Sequence, residues 1–527
     1  MRWLLIQLLY FVIITASATF SFSYGMTDTY VLPKWLYTLG LVAVAGILAS
    51  VALSFKWRRT VNEKLLLLVL VFVSFSQSVY AIVQAAGFAG NNFAYKVVGG
   101  FENPAGLASC LSGCVPFCVL FIQTNNSKIL KSFAYITFLF TEIALLLSGS
   151  RAGIFAGGIF QILLWTLGYK KHKWIKWFCL SLLIIVLPLI FVVKKDSASG
   201  RLLMLQCGLE MIKERPINGF GPNGISKHYM NFQAEWLKNH QDSDFVLLAD
   251  NVKHVFNEYI TIAACFGFVG LTILICFICL MVRCYLKYPS VEGKCALMSL
   301  AAIGILGCFS YPLYYPFTWI ILIVDSCILL SRAYSFDFLN VEIVKYLLAI
   351  VFFLSSSVLF CRIAQRIYAE KEWCRIANTT IIDEKKMNEY EMLMPILGDY
   401  PYFLYNYSAV LYINGFYEKS LEIALKCKQY WADYDLERLL GELYEKHNQY
   451  GKALEHFETA HNMCPNRFVP LYKQFKIYKA QGDTAMMISI GNEILSKKVK
   501  VPSRKIDIIL NNVRYEMKID EGVEAPP

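Results

Sequence analysis

Apolar runs close to the roughly 20 residues a helix needs to cross a bilayer recur through the first 363 residues, and they decide what this chain can fold into. They fall near 3–20, 36–55, 65–86, 105–123, 130–148, 152–168, 174–193, 256–282, 296–311, 317–331 and 343–363, about eleven spans. No single water-soluble core accommodates that many. With 57% hydrophobic residues and only 17% charged, against about 25% in soluble domains, the chain reads as an all-α polytopic membrane protein. The first run carries Arg2 and Ala16-Ser17-Ala18 and so also has signal-peptide features. It is read as a retained span, because its removal would invert the orientation of everything after it.

Basic residues set the orientation. Lys56, Arg58, Arg59 and Lys64, then Lys128 and Lys131, then Lys170, Lys171, Lys173 and Lys176, then Arg283, Lys287 and Lys294 occupy alternate loops. The positive-inside rule makes those loops cytoplasmic, and with them the N-terminus. Loops 87–104, 149–151, 194–255 and 312–316 then face outward, as does everything after the odd-numbered last span. The net charge of +11 is accounted for by this topology and implies no nucleic-acid partner. The 16 cysteines lie mostly within spans as small buried apolar groups, and no Cys/His spacing in a polar segment reads as a metal site or a disulfide framework. No cofactor or metal is expected.

After Arg362 the composition changes to amphipathic helices rich in Tyr, Lys and Glu. Leu440-Gly441, Tyr444, Ala453, Phe457, Ala460 and Pro465 match the tetratricopeptide spacing. Small Gly441 and Ala453 permit close approach of two antiparallel helices, Phe457 fills their seam, and Pro465 ends the second. Degenerate copies lie one repeat back (Leu411, Ser420, Ala424) and one forward (Phe475, Tyr478, Gly482-Asp483). The expected organisation is a transmembrane domain over 1–363 with an extracytoplasmic loop at 194–255. A helical linker (364–401), an α-solenoid of about three repeats (402–500) and a C-terminal tail (501–527) follow. The repeats fit either a scaffold for a protein partner or a stabilising cap.

Candidate functional residues gather on the outward face. Arg151, in Ser148-Gly-Ser-Arg-Ala-Gly153, sits between two apolar runs, where a charge costs about 2.5–3.5 kcal/mol on insertion scales unless it is paired. Its forked donors suit a phosphate; the alternative is an interfacial arginine snorkelling to headgroups. Ser150 and the small residues around it leave room for a ligand or a neighbouring helix. Arg201 opens an amphipathic run, Leu202 to Ile212, ahead of Pro216 and the turn Gly219-Phe-Gly-Pro-Asn-Gly224. His254, with Asn257 and Glu258 one turn further on, has the chemistry to take a proton from a hydroxyl and to orient sugar hydroxyls; an ordinary interfacial histidine is the plainer reading. Tyr311-Pro-Leu-Tyr-Tyr-Pro316 suits sugar stacking or an aromatic belt, and Glu142 and Asp325 are acids within spans.

In order and spacing, these stretches resemble the O-antigen ligase and polymerase superfamily of bacterial envelope glycan enzymes. The resemblance covers roughly 65–330: Gly100-Phe-Glu-Asn-Pro-Ala-Gly-Leu-Ala108, the Ser148–Gly153 arginine motif, Ser199-Gly-Arg201, Arg215-Pro-Ile-Asn-Gly-Phe-Gly221, and Phe256-Asn257 followed by Gly267-Phe-Val-Gly270. It implies a multi-pass protein of the bacterial inner membrane, its repeats extracytoplasmic. The implied reaction is a metal-independent, inverting transfer from an undecaprenyl-diphosphate-linked glycan to an acceptor lipid or protein. Arg151 and Arg201 carry over as the pyrophosphate-holding residues, and a histidine carries over as general base. Such ligases have His directly before the Asn of the last motif, where this chain has Phe256. His254 stands two residues earlier, and on a helix that offset would turn it by about 200°. Ligation to an acceptor hydroxyl is the leading expectation, ahead of polysaccharide polymerisation or protein O-oligosaccharyl transfer. A transporter of the same lipid-linked glycan or a non-catalytic scaffold would be different classes. Transport is disfavoured by the lack of paired halves, and a scaffold leaves Arg151 without a purpose.

Overall fold

A computed structural model of the chain describes residues 2–54, 62–90, 95–159, 195–334, 341–378, 381 and 383–520. Much of span 152–168, all of 174–193, and Lys56, Arg58, Arg59, Lys170, Lys171, Lys173 and Lys176 lie outside the described residues. The chain begins with α1 (Arg2–Phe20), α2 (Val31–Ser54), α3 (Glu63–Ala85), α4 (Pro104–Thr124), α5 (Lys128–Ser148) and a short α6 (Arg151–Gly153) that runs into a π-helix, Ile154–Ile159. Next come α7 (Lys195–Glu214), α8 (Gly224–Asn239), α9 (Phe245–Leu248), α10 (Glu258–Lys287), α11 (Val291–Gly307), α12 (Pro316–Ala333) and α13 (Glu342–Ala377). The remainder is α14 (Glu384–Leu397), α15 (Pro401–Ile413), α16 (Tyr417–Lys428), α17 (Tyr434–Lys446), α18 (Tyr450–Met463), α19 (Val469–Gln481), α20 (Thr484–Ser496) and α21 (Arg504–Asp520). The helices divide between two compact units, Met1–Val193 with Phe256–Tyr259 and Thr272–Cys374, and Lys194–Val255 with Ile260–Leu271 and Arg375–Pro527.

Among the described residues, seven helices are long and apolar enough to span a bilayer: α2, α3, α4, α5, α10, α12 and α13. All lie in the first unit except Ile260–Leu271 of α10 and the last residues of α13. Of the apolar window of α4, 83% is buried, against 17% for α10 and α13, so α4 runs through the middle of the unit. The other two turn apolar faces outward, which a bilayer tolerates because the helix satisfies its own backbone. α4 starts at Asn103, whose side chain accepts from the Ala105 N–H at 2.8 Å, with Pro104 at the first helical position. Loops sort to two ends. At one, Arg332 pairs with Glu63 (2.7 Å) and Glu292 (3.4 Å), tying together the ends of three helices. At the other, the Trp35 indole donates to the Tyr314 carbonyl at 2.9 Å.

The second unit packs the segment 194–255 with the C-terminal helices. Leu203, Cys207 and Met211 form a stripe of helical period on α7, and they bury with Tyr229, Met230, Val255, Ala432, Tyr434, Ala460 and Met463 in one core. The Arg201 run is therefore amphipathic as expected, though its helix starts earlier, at Lys195. The C-terminal helices form pairs whose turns carry left-handed Gly415, Asn448 and Gly482, a period of roughly 33–34 residues. At Gly441 an added Cβ would lie 2.6 Å from the Phe457 ring, so glycine is what lets α17 and α18 close. Phe457 and Ala453 are fully buried at that seam. Phe457→Ala is expected to cost about 3–5 kcal/mol, read as a lowered thermal midpoint of the full-length protein in detergent. An unchanged midpoint would show that the seam does not hold the pair. Beyond the last pair, α21 buries Ile509, Val513 and Met517 against α20.

Candidate functional site

α5 stops at Gly149, which takes a left-handed φ of 64°, and the chain restarts at Ser150, whose hydroxyl caps the Gly153 N–H at 3.3 Å. Ser148 Oγ donates to the Leu145 carbonyl at 2.7 Å. The motif around Arg151 is therefore a helix break followed by a π-helix, a local form often found at functional sites. The small residues serve close helix packing. A Cβ at Gly153 would meet Ala108 at 2.6 Å, and one at Gly157 would meet Leu145 and also Ser112 at 2.9 Å. Ser112 lies two turns into α4 and donates to the Gly153 carbonyl at 3.4 Å. Arg151, half-exposed, is thus held at the end of α4 that begins with Glu102-Asn103. Gly158 faces Glu142, and Asp325 is fully buried on α12.

That end of the first unit is lined by an aromatic cluster. Tyr315 donates to Glu102 at 2.7 Å, Asn103 donates to the Tyr311 hydroxyl at 2.7 Å, and Phe101 meets Tyr315 edge-on at 5.6 Å. Phe256 packs on Tyr311 at 5.1 Å, with its backbone in the left-handed region at φ 55°, where a bulky residue is strained. Asn257 donates to the Cys308 carbonyl at 3.2 Å, and Glu258 accepts from the Leu313 N–H at 2.8 Å. The stretches 100–108, 256–258 and 308–316, far apart in the chain, thus converge in one place. Glu258 thus holds the aromatic turn, and Asn257 holds the end of α11 just before it. Burial raises the Glu102 carboxyl above its ordinary range, against the Tyr315 hydrogen bond and the charge of Lys34, which lower it. Lys34 is fully buried, donates to the Ser21 and Tyr30 carbonyls at 2.7 and 2.9 Å, and lies over the Phe101 ring.

Arg201 and His254 belong to the second unit. Arg201 is half-buried on α7. His254 lies in an irregular stretch, outside any helix, so the rotation expected of a two-residue shift on a helix does not apply. Burial pushes its imidazole down to about 4, with neighbouring Lys253 acting in the same direction.

The glycine motifs meet in this unit as well. Span 256–282 is not a continuous helix: α10 breaks at Gly267 (φ 61°, ψ −155°). The Pro216–Gly221 turn fills the break. Phe220 N–H donates to the Ala264 carbonyl at 2.9 Å and Gly221 N–H to Cys265 at 2.7 Å. In return, Phe268 N–H donates to Pro216 at 2.7 Å and Val269 N–H to Ile217 at 3.2 Å. Four backbone groups freed by the break are satisfied by one turn, which is what a broken apolar helix requires. The fit is reciprocal: a Cβ at Gly219 would lie 2.5 Å from the Cys265 oxygen, and one at Gly267 would collide with the Ile217 carbonyl.

Helices of this length and apolarity, with a break built into one of them and cations near the ends of others, define a polytopic helical membrane protein. The O-antigen ligase family model matches residues 135–275, about a quarter of the chain, and supports placing it in the O-antigen ligase superfamily. The matched segment contains Ser150, Arg151, Arg201, His254, Asn257, Glu258 and both halves of the glycine clasp. A search of curated proteins finds no match to the chain. Sequence reading did not single out Lys34, or the pairing of Glu102 and Asn103 with the aromatic turn. Lys34 carried a usable signal, a cation inside an apolar run. The pairing carried none, since its partners are 208 and 213 residues apart.

Proposed function

We propose that this protein transfers a glycan from undecaprenyl diphosphate to an acceptor hydroxyl at the outer face of the bacterial inner membrane. What supports this most is the O-antigen ligase match, which covers Ser150, Arg151, Arg201, His254, Asn257 and Glu258. The acceptor oxygen attacks the anomeric carbon from the face opposite the leaving group. The bond to the diphosphate oxygen breaks, its electron pair leaves with undecaprenyl diphosphate, and the configuration inverts. Arg151 and Arg201 stabilise the growing negative charge on the diphosphate, which is the main electrostatic demand of the step. His254, neutral at physiological pH, takes the hydroxyl proton. Ser150, Asn257 and Glu258 contact the sugars with whatever hydrogen-bonding capacity their structural roles leave. The chain's orientation follows its basic loops, with the outer loop and the C-terminal helices extracytoplasmic. Those paired helices are tetratricopeptide-like repeats.

The test is purified protein incubated with undecaprenyl-diphosphate-linked glycan and candidate acceptors, following release of undecaprenyl diphosphate and the mass of the product. Release without any acceptor that gains mass would contradict transfer. One observation favours a protein acceptor as second reading: the outer loop shares a core with helical pairs of the kind that bind polypeptides. A glycosylated protein product in the same assay would select it. The base makes its own prediction. With imidazole held near 4, kcat/KM should rise as pH increases through about 4 and stay level across neutrality, because only the deprotonated ring accepts a proton. A limb near 6.5, or a profile unchanged in His254→Ala, would remove His254 from the mechanism.

A further inference from the structure

The segment leading into His254 is gripped almost residue by residue by the C-terminal helices of its own unit. The Asn466 amide donates to the Leu247 carbonyl at 3.0 Å and also to the Ala249 carbonyl. Arg467 pairs with Asp250 at 2.9 Å and stacks over Tyr434 at 4.2 Å. Gln233, fully buried, donates to the Asp250 carbonyl at 2.9 Å and to the Met463 carbonyl at 2.8 Å, joining α8, the segment and the end of α18. Asn251 donates to Asp433 at 2.7 Å, and Lys253 lies over the Tyr402 ring at 5.1 Å. Leu247, Ala249, Asp250, Asn251 and Lys253 are thus each held from α15, from the start of α17 or from the turn after α18. An irregular segment has no ladder of its own, so these contacts are what define its course.

We infer that the C-terminal helical pairs are the clamp that positions the His254 loop, with Asp433, Asn466 and Arg467 as positioning residues. This rests on the reading of His254 as the proton acceptor, and it assigns the repeats a role within the reaction rather than a remote scaffold or cap. Asp433 is the sharpest point of the clamp. It is 3% exposed, and its two oxygens have separate jobs: Oδ1 caps α17 through the Asp435 N–H at 2.8 Å, and Oδ2 takes the Asn251 amide. Asparagine caps helices as well as aspartate, so Asp433→Asn keeps the helix and loses the bridge, because its single oxygen serves the cap and its NH2 faces another NH2.

The experiment compares wild type, Asp433→Asn, Asn251→Asp and the double exchange in the full-length protein. Amide hydrogen exchange of 247–255 is measured alongside kcat and KM for the lipid-linked glycan. Each single variant should speed exchange in that segment and lower kcat about 10- to 100-fold with little change in KM, since the reacting geometry loosens while donor binding does not. The double exchange restores a donor opposite an acceptor and should recover both readouts. Single variants with wild-type exchange, or with loosened exchange and unchanged kcat in an active protein, overturn the inference. So does a double exchange no better than the worse single. If wild type transfers nothing, the transferase reading fails instead, and the exchange data alone then decide whether the clamp exists.

Discussion

Arg151→Ala should lower glycan transfer roughly 10²- to 10³-fold, the cost of removing one preorganised donor from a developing anion. The loss should fall on kcat as well as on kcat/KM, because the guanidinium meets more charge as the diphosphate departs than in the bound substrate. Its surroundings make the variant interpretable. The break at Gly149, the Ser150 cap and the packing of Gly153 and Gly157 on α4 involve backbone and small side chains, so alanine at 151 leaves them in place. Arg151→Lys should retain part of the activity, having the charge without the forked geometry. Arg201→Ala, measured beside it, tests whether the second arginine also acts on the diphosphate. Transfer at the wild-type rate in Arg151→Ala would take the arginine motif out of the site.

Gly267→Ala should destabilise the protein by roughly 3 kcal/mol or more, through backbone strain and collision together. At φ 61° and ψ −155° the residue occupies a region nearly closed to side chains, and its Cβ would run into the Ile217 carbonyl and lie 2.6 Å from the Pro216 oxygen. Neither neighbour can yield, since both carbonyls accept hydrogen bonds from the far side of the same break. Gly219→Ala should behave similarly. Gly221→Ala is the control: φ is also positive, at 80°, but nothing lies within 4 Å of its Cβ, so it pays for strain alone, about 1 kcal/mol. The readout is the thermal midpoint in detergent, with proteolysis at 216–221 as a local probe. Equal midpoints for the Gly267 and Gly221 variants would contradict a steric clasp.

Hydropathy was enough to mark this chain as an all-helical membrane protein and to place several of its apolar helices within a few residues, such as α3, α4, α5 and α12, because apolar length and helical period are written locally. The same holds for the helix break before Arg151, where Gly and Ser carry their own backbone preferences, and for the Gly441–Phe457 seam, whose partners are neighbours along the chain. Tertiary structure alone decided what lies between distant segments. It showed that Pro216–Gly221 and Gly267–Gly270, separate stretches in the sequence, are two halves of one joint. It placed Glu258 under the aromatic turn and Asn257 at the end of α11 just before it, and it put Leu247–Lys253 in the grip of helices some 150–220 residues away. Such pairings depend on complementary shape and on hydrogen-bond groups left over once each helix has satisfied itself, and neither leaves a periodic trace in a single sequence.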